Sequence, residues 1–174
     1  MKIWTIQSQT TVDRIVKKGI HQPIFSRSKY YHQNREVYDF LLKSFNTVNN
    51  STNAGVIFGM AKANMNNPIK DFVDFTELLI RFHDVIYTFH SINKPNYKVL
   101  ELQYDDNFNP LAIDYNDWQI IMPPYDYFTD KIPEIHNCLA NGIYHSPVIS
   151  SITQLHAPYI KNENIINIYD NVSF

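Results

Sequence analysis

Several groups of side chains here have types and spacings that chemistry uses. His83-Asp84, with His90 seven residues on, sets an imidazole–carboxylate pair and a second imidazole near one helical face. A metal centre needs three or four converging ligands, and no further His and Asp pattern supplies them, so a surface histidine stripe is expected. His136, Cys138 and His145 offer a thiol among imidazoles. His136 and Cys138 stand two apart on a predicted helix and diverge, because helical neighbours are three or four apart. Cys138 therefore reads as a small core residue. Ser26-x-x-Lys29 pairs a hydroxyl with an amine, but the acyl chemistry using that pair also needs Ser-Asp-Asn and Lys-Thr-Gly, and neither tripeptide occurs. The glycines at 19, 55, 59 and 142 are too scattered for a phosphate-cradling loop. No metal and no cofactor are expected from these groups.

The aromatic residues say more. They make up 14% of the chain, and Tyr30-Tyr31 and Pro123 to Phe128, with Tyr125 and Tyr127, fall in predicted loops among polar neighbours. Aromatic side chains in polar surroundings are the usual material of a recognition surface. The same aromatics also suit packing lids over the core; as a recognition surface, Tyr30, Tyr31, Tyr125 and Tyr127 are the candidate binding residues and should be exposed and clustered.

The elements that must position these residues follow from length and pattern. A chain of 174 residues with 44% apolar and 18% charged residues suits one globular domain with a real core. No run approaches the ~18 apolar residues that span a bilayer, so no membrane partner is expected. Fifteen basic against seventeen acidic residues give a net charge of −2 without a basic cluster. That argues against nucleic acid, which needs a positive field. The lone Cys138 permits no internal disulfide, and a predicted strand at the first residues leaves no room for a targeting peptide. A cytoplasmic protein is the expectation.

Lys2 to Gln7 is β-branched and aromatic, a strand. Thr10 to Gly19 reads as a helix carrying Val12, Ile15 and Val16, N-capped by Thr10 and closed by Gly19. Ile20 to Gln33 reads as a polar connection broken by Pro23. A second helix begins at Asn34 with the stripe Val37, Leu41 and Phe45, and Asn46 to Asn53 reads as loop. Val56 to Met60 is a short buried strand whose Gly59 marks a close approach or a bulge. Asp71 to about His90 is the longest helical pattern, though its second half, Val85 to Phe89, is β-branched and aromatic enough to be a strand. Tyr97 to Gln103 alternates as a strand, and after the turn Asp105-Asp106-Asn107 the segment to Ile113 is expected to return as its partner. Asp114 to Ile121 suggests a short helix around Trp118. The last third reads as helices over Thr129 to Asn141, Pro147 to Leu155 and Asn162 to Tyr169. The predicted core is Trp4, Ile6, Ile15, Val37, Leu41, Phe45, Ile57, Phe82, Leu100, Leu102 and Trp118. The fold class is α+β, a single compact domain with a small mixed or antiparallel sheet, packed helices and a helical C-terminal third.

Taken in order, Lys2 to Gln7, Lys18-Gly19, Tyr38 to Phe45, Val56 to Gly59, Val99 to Leu102 with Asp114 to Trp118, and Asn162 to Asp170 resemble a bacterial family, domain of unknown function 3841. The last of these is similar to that family's terminal helix, while Met65 to Ser91 is longer and differently composed. The resemblance implies a small cytosolic bacterial domain with no established activity. Separately, a small chain full of Asn, Ile and Tyr without obvious catalytic groups suggests a non-catalytic protein-binding module, regulatory or inhibitory, of mobile-element type, whose partner is a protein.

The opening strand and helix also resemble the start of ADP-ribosyltransferase-like folds, whose first strand presents polar side chains to NAD. Residues two apart share a strand face, so Thr5 and Gln7 point together. The resemblance implies an acid from a later strand, and Glu101 is the one of suitable type. NAD is the cofactor of this alternative, with Thr5, Gln7 and Glu101 as its catalytic residues.

Overall fold

The computed structural model describes residues 1–33, 35–62, 67–81, 96–105, 108–114 and 152–170. Among the described residues eight strands and four α-helices alternate irregularly: β1 (Lys2–Ser8), α1 (Gln9–Lys18), β2 (Ile20–His21), α2 (Lys29–Gln33), α3 (Arg35–Asn49), β3 (Ile57–Lys62), α4 (Phe72–Arg81), β4 (Tyr97–Gln103), β5 (Leu111–Asp114), β6 (Ile152–Ala157), β7 (Ile160–Lys161) and β8 (Ile165–Asp170). Six strands form one sheet in the order β5-β6-β3-β1-β4-β8, and β2 pairs with β7 apart from it. Each described pairing is antiparallel. The fold is α+β. Among the described residues no helix is long and apolar enough to cross a membrane.

Strand β1 is central because its residues suit both sides. Trp4 and Ile6 face a cluster with Val37, Leu41 and Phe45 of α3 and Phe75 of α4. Ile3 faces the opposite cluster, with Val12 and Ile15 of α1 and Leu100 and Leu102 of β4. A strand covered on both faces carries apolar residues at consecutive positions, and Ile3, Trp4 and Thr5 are all buried. The described members of the predicted core are buried, apart from Ile6, which is partly so. Phe82 and Trp118 lie outside the described residues.

Gly59 of β3 lies against Ile3 of β1. A Cβ there would lie 1.9 Å from Ile3 Cγ2, so only glycine lets the two strands approach. Helix α1 ends as its sequence implies: Gly19 has φ 77° and its N–H donates to Ile15 O at 2.7 Å, a left-handed cap that glycine adopts freely. Its start differs from expectation. Ser8, and not Thr10, is the N-cap, its hydroxyl accepting from Thr11 N at 3.2 Å, because the helix begins two residues earlier and the side chain must reach the first orphan N–H groups.

Three further expectations are corrected. The connection Ile20 to Gln33 holds β2, a 3-10 turn at Phe25–Arg27 and α2. The Asn-rich run from Asn46 continues α3 to Asn49, and the turn beyond it is built on one side chain. Asn46 Oδ1 accepts from Asn53 N and Ser51 Oγ, both at 2.9 Å, while Asn46 Nδ2 donates to Asn53 O at 3.0 Å. Strand β5 does not return beside β4. It pairs with β6 at the far edge of the sheet, so β4 and β5 are not the two arms of a hairpin.

The C-terminal third departs most. Asn162–Asn164 is a single 3-10 turn, and Ile165–Asp170 is a strand paired with β4, where a helix was expected. Residues 152–155 belong to β6, which removes the end of the helix expected over Pro147 to Leu155. The helix expected over Thr129 to Asn141 lies outside the described residues. Ile165, Ile166 and Ile168 with Tyr169 are β-branched and aromatic, and such side chains, stiff at χ1, suit an extended backbone better than a helix.

Candidate functional site

Glu101 lies in the middle of β4 and is 4% exposed. A buried carboxylate must be paired or fully hydrogen-bonded, and each neighbouring strand supplies a donor. Lys2 of β1 reaches Oε1 at 2.5 Å, while Asn167 and Tyr169 of β8 donate to Oε2 at 2.7 Å and 3.2 Å. Burial pushes the carboxyl up, but the hydrogen bonds from Lys2 and Asn167, the Lys2 charge and the Tyr169 bond outweigh it. The group is held below the usual glutamate value. The Tyr169 phenol moves upward through its own burial and the adjacent negative charge.

Trp4 opposite Glu101 and Tyr169 bonded to it belong to a set of four stacked aromatic rings. Trp4 stacks between Phe75, at 5.1 Å between ring centres, and Tyr169, at 5.7 Å. Phe72 stacks on Tyr169 at 4.4 Å. Helix α4 brings both phenylalanines because Asp71 caps its start, accepting from Asp74 N at 2.9 Å, and because Asp74 is tied to Lys62 of β3 at 2.7 Å. With both carboxylate oxygens occupied and its pKa lowered, Glu101 is a fixed anion at neutral pH. It is a strut between three strands and does not accept protons there.

Thr5 and Gln7 share a face, as strand alternation requires, but Glu101 is on the other one. Directly opposed residues of an antiparallel pair share a face, and Glu101 stands opposite Trp4 while Thr5 stands opposite Leu100. The sheet separates the acid from the two polar side chains, so the three do not converge on one cleft. Thr5 Oγ1 donates to Phe58 O at 2.6 Å, and Gln7 Nε2 donates to Thr5 Oγ1 at 2.9 Å. Both side chains are engaged in local bonds.

Of the four candidate tyrosines, Tyr125 and Tyr127 lie outside the described residues, as do His83, Asp84, His90, His136, Cys138 and His145. Tyr30 and Tyr31 are together on α2, not in a loop. Tyr30 is 53% exposed. Tyr31 is half-buried and fixed at both ends: its hydroxyl donates to Asp39 Oδ1 at 2.9 Å, and its ring meets Tyr38 at 6.1 Å. Arg35 holds the other Asp39 oxygen at 3.1 Å, with its guanidinium 6.0 Å from the Tyr31 ring centre. Beneath, Tyr38 packs edge-on against Phe25 at 4.8 Å, and burial pushes its phenol up to about 12. The surface pair is thus rooted in the core.

Sequence reading missed His156, which is fully buried on β6. Its Nδ1 bonds to Leu111 O at 2.9 Å, which makes Nδ1–H the donor and fixes the tautomer. Burial lowers its pKa to about 4, against the weaker upward effect of that bond. Asn167, Tyr169, Arg35 and Asp39 were also missed. The first two follow only from reading Ile165–Asp170 as a strand. Arg35 and Asp39 carry a signal, the i,i+4 spacing of a helical ion pair. Among the described residues no three or more His, Cys, Asp or Glu side chains group as metal ligands.

Compared with protein-family models, with curated proteins and with solved structures, the chain matches none.

Proposed function

We propose that this protein is a non-catalytic protein-binding module, regulatory or inhibitory in the manner of small mobile-element proteins, and that it binds through the α2–α3 surface centred on Tyr30 and Tyr31. The observation that carries this reading is the pairing of an exposed Tyr30 with a Tyr31 that Asp39 and Tyr38 hold rigid. A preorganised aromatic side chain loses little conformational freedom on binding, and Tyr and Arg dominate the energetics of protein interfaces. Arg35 supplies the charged neighbour. Membership of the uncharacterised family 3841 belongs to the same proposal and brings no activity with it.

The test is affinity purification from the native host with the wild-type chain and with Tyr30→Ala. A stoichiometric protein partner retained by the first and lost by the second supports the reading. Equal recovery by both, or no partner with either, overturns it.

A further inference from the structure

Among the described residues strand β8 ends the sheet, and two of its isoleucines are open to solvent: Ile166 is 48% and Ile168 44% exposed. Natural edge strands are guarded by lysine, proline or inward charges. The stretch Ile165–Asp170 has no lysine and no proline, and its one charge, Asp170, is neutralised by Lys98 on the neighbouring strand. Register places Ile165 opposite Leu102 and Ile168 opposite Leu100, with a shift between them that accommodates Ile166.

We infer that β8 is a self-association edge, pairing antiparallel with β8 of a second copy of this chain. Its sequence is self-complementary about Asn167. A two-fold axis at Asn167 sets Ile166 of each copy opposite the partner's Ile168, so all the exposed isoleucines of the strand meet one another. That is the isologous geometry of a closed dimer. It opposes no like charges, because Asp170 falls opposite the partner's Asn164. A second copy fits this edge better than a charged peptide does, since the edge offers apolar side chains and no net charge to recognise. A six-residue strand covers less than the ~800 Å² per partner of a standard interface, so the dimer is concentration-dependent. The inference is independent of the Tyr30–Tyr31 reading, which concerns another surface.

Sedimentation equilibrium of the intact chain from about 1 μM to about 500 μM spans the affinities such an edge would give. Wild type is expected to rise toward twice the monomer mass. Ile168→Lys should weaken association by about tenfold or more, since it removes an apolar pair and adds like charge to the edge. The double variant Ile166→Glu/Ile168→Lys should restore it, because this register puts each new charge opposite its complement. Circular dichroism melts of all three show whether they fold. Wild type that stays monomeric throughout overturns the inference. So does Ile168→Lys that dimerises like wild type, or a folded double variant that is not restored. If the double variant unfolds, the contrast between wild type and Ile168→Lys decides.

Discussion

Trp4 and Glu101 stand directly opposite each other across β1 and β4, so a fully buried indole and a buried carboxylate share one face of the sheet. Burial of the carboxylate strengthens its bonds from Lys2, Asn167 and Tyr169. It also makes those bonds necessary. Charge and packing here are a single construction joining β1, β4 and β8.

Glu101→Gln should destabilise the fold by about 2 kcal/mol, the scale of hydrogen bonds to a charged group, read from urea unfolding at pH 7. The folded-state pKa is lowered, so the carboxylate stabilises the fold above its unfolded value. That contribution is lost as the pH falls through the unfolded and then the folded value. Wild type should therefore lose stability below about pH 4.5 more steeply than Glu101→Gln. Parallel curves for the two would show that Glu101 is not held as described.

His156 acts in a different window. Its folded pKa lies at about 4 against the ordinary 6.5, so the unfolded chain binds a proton that the folded one refuses. Stability should fall as the pH drops from 6.5 toward 4, by about 3 kcal/mol in total. The His156 ring resonances should stay those of the neutral Nδ1–H tautomer down to pH 5. An NMR titration with its midpoint near 6.5 would refute the burial assigned to it.

Gly59→Ala should destabilise the protein by about 1–3 kcal/mol, the cost of forcing a methyl group into a packed core, because the added Cβ meets Ile3 Cγ2. Denaturant midpoints measure it. Ile3→Val in the same chain should recover little of the loss, since Cγ2 is retained.

Tyr30→Ala should change stability by less than ~0.5 kcal/mol, as at other surface positions. Tyr38→Ala should cost ~3–5 kcal/mol through the cavity it leaves. Thermal melts of the two variants separate surface recognition from core support.

Calorimetric titration with millimolar NAD should give no heat of binding, and Gln7→Ala and Glu101→Ala should behave as the parent does. Thr5 and Gln7 bond to each other, and Glu101 is across the sheet from them. Saturable heat abolished by both substitutions would revive the transferase alternative.

Local pattern determined a good deal of this fold. Strand β1, the α3 stripe, the alternation of β4 and the glycine stop of α1 are each legible because a few adjacent residues carry the periodicity or the cap. Tyr30 was also legible as an exposed aromatic residue, though neither its place on a helix nor the half-burial of Tyr31 was. What the sequence could not reveal depends on which strands become neighbours. Ile165–Asp170 is ambiguous between helix and strand until β4 lies beside it, and β5 looks like a hairpin partner of β4 until β6 claims it. The position of Glu101 is of the same kind. Alternation alone shows that it points away from Leu100 and Leu102, and only the register with β1 decides that it points away from Thr5 and Gln7 as well. Backbone hydrogen bonding is indifferent to side-chain identity, so strand order is settled by burial summed over the whole chain. His156 is the clearest instance, a polar residue in a strand whose burial and single tautomer exist only because β5 offers it a carbonyl.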